Sequence, residues 1–144
     1  MPPLSILLKP ASSACNLRCA YCFYADEAGA RAVPNYGLMS NEVSRALLEK
    51  AAGAAEGSIS FLFQGGEPTL AGLDFFRDFV AQAGQRIPRG VAVRYAIQTN
   101  GTLLDKDWSC FLRENHFLVG LSLDGDRACH DRFRRDGQDK GTYD

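Results

Sequence analysis

Ser58-Ile59-Ser60-Phe61-Leu62-Phe63, running into Gln64-Gly65-Gly66-Glu67-Pro68, decides the fold. The first six residues are an apolar, strand-forming run, and a glycine pair and a proline stop it abruptly. The same layout recurs along the chain. Residues 5–10, a short buried strand ended by Pro10, lead into a cysteine-rich stretch. Residues 91–97 stop at Gln98-Thr99-Asn100-Gly101, and residues 117–123 stop at Asp124-Gly125. Helical spacing fills the intervals. Ser40 is placed to cap a helix carrying Glu42 in its first turn and Val43, Ala46, Leu47, Ala51 and Ala54 on one side. Leu73, Phe76, Phe79, Val80 and Ala83 mark a second helix. Asp105 is placed to cap a third with Trp108, Phe111 and Leu112. Residues 26–36 read as a polar connection broken by Gly29 and Pro34, and residues 126–144 as a charged tail of no long period.

Strands alternating with helices imply an α/β fold with a parallel sheet. In such folds ligands bind at the C-terminal ends of the strands. Four strand-end motifs are therefore expected on one face. Four strands do not close a barrel, so residues 1–144 are expected to be the first part of a longer protein.

The chain is 46% hydrophobic with a formal net charge of −1, enough apolar material for one core and no basic excess for nucleic acid. No apolar run reaches the roughly 20 residues of a membrane span. Met1-Pro2-Pro3 leads straight into a strand-like run without a signal-peptide layout. Free thiols without a signal point to a reducing cytoplasm.

Three of the five cysteines lie in Cys15-Asn16-Leu17-Arg18-Cys19-Ala20-Tyr21-Cys22-Phe23-Tyr24. Zinc would want four ligands, and His116 and His130 are distant in sequence. A disulfide would leave an odd cysteine. Three thiolates on one loop suit three irons of a [4Fe–4S] cube, leaving the fourth iron open to another ligand. Cys110 and Cys129 read as ordinary buried or partly buried thiols. Gly65-Gly66 lets backbone approach a ligand, and carbonyls exposed there can accept from an ammonium group. Gln98-Thr99-Asn100-Gly101 either shapes the same site or forms an ordinary turn. Asp124 either pairs with Arg134 or starts a turn with Gly125. His130-Asp131 reads as structural rather than as a general base.

Taken together these stretches resemble the radical S-adenosylmethionine (SAM) enzymes with a SPASM domain, and among them the anaerobic sulfatase-maturating enzymes. The resemblance rests on residues 9–13, the Cys loop ending Tyr21-Cys22-Phe23-Tyr24, residues 63–73, residues 98–103 and residues 118–125, and it extends from Pro2 to the chain end. It implies the N-terminal portion of a partial (β/α)6 barrel, with about four parallel strands and helices outside. It implies that Cys15, Cys19 and Cys22 hold the cluster. Tyr21, Gly66, Ser122 and Arg134 match positions that contact SAM, and a guanidinium at Arg134 suits a carboxylate. Tyr24 and Gln64 match positions near the substrate peptide. The implied reaction cleaves SAM reductively to a 5′-deoxyadenosyl radical and oxidises a sulfatase Cys or Ser to Cα-formylglycine. The implied partners are the sulfatase polypeptide and a reductant such as flavodoxin or ferredoxin. The catalytic base and the auxiliary [4Fe–4S] clusters of the SPASM domain are expected beyond Asp144, so residues 1–144 alone are not expected to turn over peptide. Asp126 stands where the family often has Pro after Asp-Gly. The competing readings are a SPASM maturase that crosslinks another ribosomal peptide, and an iron–sulfur electron carrier without catalysis.

Overall fold

The computed structural model describes residues 3–144. Met1 and Pro2, on which the leader reading and the start of the resemblance fall, lie outside the described residues. One sheet holds four parallel strands in the order β1 (Leu4–Leu8), β2 (Ser58–Phe63), β3 (Ala92–Thr99) and β4 (Leu118–Leu121). Neighbours in sequence are neighbours in the sheet. Leu8 pairs with Phe63, Phe63 with Ile97 and Ile97 with Val119, so the strand ends come out together. β3 runs two residues further than its apolar pattern, because Gln98 and Thr99 pair with Gly120 and Leu121.

The connections are α1 (Phe23–Gly29), α2 (Asn41–Ala54), α3 (Leu73–Arg86), α4 (Lys106–Glu114) and α5 (Arg127–Phe133). Ser40 and Asp105 cap α2 and α4 by accepting from the backbone N–H groups of Val43 and Trp108. Both are Ncap-to-N3 bonds, which satisfy a donor the helix itself leaves unpaired. Ile59, Phe61 and Phe63 turn one face of β2 into the core. Phe76 and Phe79 of α3 and Trp108 of α4 close over them, with Phe63 edge-on to Phe79 at 5.1 Å between centroids. Each such buried aromatic contributes about 1.5–3 kcal/mol.

Two stretches depart from the sequence pattern. Residues 26–36 are not wholly a polar connection, since α1 occupies the first part. Only Ala28 of α1 is buried, so seven residues with one core contact carried no periodicity. The tail contains α5, capped by Asp126 through the Cys129 N–H at 2.9 Å, and then turns back to the Cys loop. Asp126, where the family often has Pro, is thus the N-cap of α5. Among the described residues no helix is long and apolar enough to cross a membrane.

Candidate functional site

The β2 turn is set by stereochemistry. Gly65 and Gly66 both have positive φ, +82° and +56°. A Cβ on Gly66 would lie 2.2 Å from the Ala14 carbonyl oxygen, so only glycine fits against the Cys loop there. The next amide, Glu67 N–H, donates to that same carbonyl at 2.7 Å. The turn and the Cys loop are thus joined backbone to backbone.

The tail places Arg134. Arg18 N–H donates to the Arg135 carbonyl and Ala20 N–H to the Phe133 carbonyl, at 2.7 and 2.9 Å. These two bonds set Arg134 opposite Cys19. Its Nη1 donates to Cys19 Sγ at 3.8 Å, and its Nε pairs with Asp124 Oδ2 at 3.0 Å. Asp124 also accepts from the Tyr21 hydroxyl. The two readings of Asp124 resolve toward the ion pair. These bonds hold its carboxyl below the usual carboxylate range, the Tyr21 hydrogen bond first and Arg134 after it. Burial and the same hydrogen bond push the Tyr21 phenol up to about 12.

From β4, Ser122 N–H donates to the Thr99 carbonyl, and its hydroxyl accepts from Gln98 Nε2 at 2.9 Å. Gly120 makes room for that reach, since a Cβ there would meet Gln98 Oε1 at 2.1 Å. Gln64 Nε2 donates to the Tyr24 hydroxyl at 3.1 Å, and Lys9 Nζ stands 4.3 Å over the Tyr24 ring.

All nine candidates, Cys15, Cys19, Cys22, Tyr21, Gly66, Ser122, Arg134, Tyr24 and Gln64, line one pocket of about 220 Å³. Larger hollows of about 520 and 680 Å³ lie beside Lys9 and Arg31 and on the open sheet face. The small pocket is where the strand-end chemistry converges. His130 is not in it. That ring is buried, faces the Asp124 N–H and Thr142, and is structural. Cys110 is partly buried and Cys129 exposed, so the expectation of a sheltered thiol fails for Cys129.

The cysteine chemistry fits a cluster. All five cysteines are free thiols. Burial pushes the Cys15 thiol up, opposed by the Leu17 N–H, and burial likewise raises Cys19, opposed by Arg134. Proton release from such thiols is driven by metal coordination. Among the described residues no three Cys, His, Asp or Glu side chains converge on one point as the ligands of a single ion would. Ligands of a cube need not converge, because each meets a different iron.

Sequence reading passed over Glu67. It is 1% exposed. Oε1 accepts from Thr69 N–H, the Thr69 hydroxyl and the Thr99 hydroxyl, while Oε2 accepts from Asn100 N–H at 2.7 Å. One carboxylate thereby clamps the ends of β2 and β3. Its signal was in plain view, an acid directly after a glycine pair at a strand end.

Comparison with known proteins agrees with this fold. The family model for the Radical SAM superfamily matches residues 10–141. The Cysteine-type anaerobic sulfatase-maturating enzyme of Clostridium novyi is 47% identical over 143 residues, covering 99% of this chain and 38% of that protein. The Serine-type anaerobic sulfatase-maturating enzyme of Klebsiella aerogenes is 38% identical over 141 residues, covering 98% and 34%. A solved structure of native anSMEcpe with bound AdoMet and Cp18Cys peptide superposes with a TM-score of 0.90 at 45% identity, covering 99% of this chain and 37% of that one. The chain spans less than two fifths of the length of these relatives.

Proposed function

The chain belongs to the radical SAM superfamily, and from that premise we propose that it is the N-terminal part of a core domain that oxidises a sulfatase Cys or Ser to Cα-formylglycine. The observation that carries this reading is the single pocket shared by the three thiols, Gly66, Ser122, Arg134, Tyr24 and Gln64. Support for the substrate comes from relatives of both the cysteine and the serine type at 47% and 38% identity. Held by Cys15, Cys19 and Cys22, a [4Fe–4S] cluster would supply the electron for reductive cleavage of SAM, the source of the radical that would take hydrogen from the substrate Cβ.

The residues of this chain prepare that event. Cys15, Cys19 and Cys22 hold the cluster as thiolates. The glycine turn presents backbone carbonyls, without a side chain in the way, to the amino group of SAM. Arg134, with its Nε engaged by Asp124, keeps guanidinium donors for the SAM carboxylate. Ser122, held by Gln98, offers its hydroxyl to the same ligand, and the Tyr21 ring shields it. Tyr24 and Gln64, already bonded to each other, form the peptide side of the pocket. The catalytic base, the auxiliary clusters and an electron donor such as flavodoxin or ferredoxin belong to the rest of the protein and its partners, in the cytoplasm.

The test uses the full-length protein with dithionite, SAM and a sulfatase-motif peptide deuterated at the target Cβ. A Ser peptide should lose two hydrogens, a Cys peptide should lose two hydrogens and exchange its sulfur for a water oxygen with release of sulfide, and label should enter 5′-deoxyadenosine. Label drawn instead from Cα, or a crosslinked product, would replace this reading with maturation of another peptide.

A further inference from the structure

Asn100 sits at the β3 end, and its backbone N–H and both side-chain polar atoms have partners. Its backbone N–H goes to Glu67 Oε2 at 2.7 Å. Its Oδ1 accepts from the Thr102 N–H and hydroxyl at 3.0 and 2.8 Å. Its Nδ2 donates to Asn16 Oδ1 at 2.9 Å and, with its other hydrogen, to Cys15 Sγ at 3.8 Å. Asn16 Nδ2 closes the ring by donating to Thr102 Oγ1 at 2.8 Å. The orientation of the amide is therefore determined. Thr102 N–H needs an oxygen, so the NH2 must face the sulfur.

We infer that Asn100 is a hydrogen-bond donor to the Cys15 sulfur that raises the reduction midpoint of the cluster, and that Glu67 is the positioning residue that holds it there. The inference rests on Cys15 being a cluster ligand, as proposed above. Hydrogen bonds to ligand sulfurs are among the factors that set the potential of an iron–sulfur cluster. A donor to a thiolate draws electron density from the metal. That favours the state with one more electron, so reduction becomes easier. Glu67 positions through Asn100; its charge also reaches Cys15 directly, so its variant is read by the proton coupling and not by the midpoint. Both its oxygens accept from backbone N–H groups, Thr69 on one side and Asn100 on the other. In Glu67→Gln either orientation of the amide sets its NH2 against one of those N–H groups.

The experiment reconstitutes the full-length protein and reads iron content, the midpoint by EPR-monitored redox titration, and the coupling of exchangeable protons to the reduced cluster by pulsed electron–nuclear double resonance. Asn100→Ala and Asn100→Asp should keep the cluster, shift the midpoint to more negative potential, and lose one exchangeable-proton coupling. Glu67→Gln should weaken that coupling. Asn16→Ala loosens the same ring but leaves the donor to sulfur, so its midpoint and coupling should stay with wild type. Full iron with an unchanged midpoint in Asn100→Ala overturns the inference. An Asn16→Ala shift equal to that of Asn100→Ala also overturns it, since the effect would then be mere loosening. An unchanged coupling in Glu67→Gln removes Glu67 from the arrangement. A cluster that persists in Cys15→Ala would instead overturn the ligand assignment beneath it, and the inference with it.

Discussion

Arg134 lies 115 residues from Cys19 in sequence and touches it in the fold. Its side chain is only 13% exposed, so its pair with Asp124 at 3.0 Å is better sheltered than a surface ion pair. Arg134→Ala should weaken SAM binding by about 1.5–3 kcal/mol, the range for a hydrogen bond to a charged group. Equilibrium binding of SAM to the reconstituted protein measures this, and an unchanged affinity would take Arg134 out of the site. Asp124 gives a pH dependence with a definite sign. A carboxylate held below its ordinary pKa stabilises the fold above that value and loses its contribution as pH falls through the lowered one. The Asp124 contribution should be complete above about pH 5 and fade below the ordinary value of 3.8. Asp124→Asn should therefore be less stable than wild type near neutrality, with the gap closing in acid. A gap that stays constant from about pH 6 to about pH 3 in denaturant unfolding would contradict the assignment. At this scale the sequence displayed the chemistry of Cys15, Cys19 and Cys22 openly, because their spacing is local. It offered the pairing of Asp124 with Arg134 only as one of two readings, because two backbone bonds between remote segments decide it.

Helix caps were the most legible local feature, and Asp126 shows where legibility ends. Ser40 and Asp105 precede helices of 14 and 9 residues with clear apolar stripes, so the cap and the periodicity support each other. Asp126 precedes seven residues of which only His130 is buried, and no stripe announces the helix. Yet α5 determines where the site arginine falls, since Arg134 N–H donates to the His130 carbonyl at 2.8 Å and ends the helix. Asp126→Ala should cost about 1 kcal/mol in stability, the usual loss for a removed N-cap. It should also weaken SAM binding, whereas Asp105→Ala, with a similar stability loss, should not. Calorimetric unfolding alongside SAM titration of the two variants separates a remote cap from one that positions the site. Equal effects on SAM affinity would show that α5 merely contributes stability. The same reasoning explains α1, whose seven residues follow the last cysteine of the loop and bury only Ala28. The buried Glu67 was hidden for a different reason. Its partners Thr69, Thr99 and Asn100 come from two strand ends, and only the parallel register of β2 and β3 brings them to one carboxylate.

At the scale of the whole molecule the sheet is finished on one face only. Parallel sheets are ordinarily covered on both faces. Here Phe61 and Phe63 are sealed under α3 and α4, while Leu62, Ala96 and Leu118 line an open hollow of about 680 Å³ on the other side. β1 and β4 are the two edges. Along and just after β4, Leu118, Leu121 and Leu123 are 75%, 56% and 53% exposed. The alternation of strands and helices was enough to place all four motifs on one rim. It carried no information about what covers the other face, because no helix among the described residues packs there. Residues 1–144 expressed by themselves should therefore self-associate, since an uncovered apolar edge strand templates pairing with another chain. Leu118→Lys should reduce that association, because a lysine on an edge opposes strand pairing. Sedimentation at increasing concentration reads both, and a monomer at every concentration would show that the face is stable uncovered. The same preparation should not convert a sulfatase peptide. Abstraction of hydrogen leaves a substrate radical that must still lose a proton and an electron. Around the pocket the acids are committed, Glu67 to three residues and Asp124 to Arg134 and Tyr21. Neither is free to take the proton, and a second cluster would be needed to take the electron. SAM cleavage does not need those groups, so 5′-deoxyadenosine should form slowly while formylglycine does not. Formylglycine made by residues 1–144 at a rate near that of the full-length protein would mean that a base lies within the pocket after all.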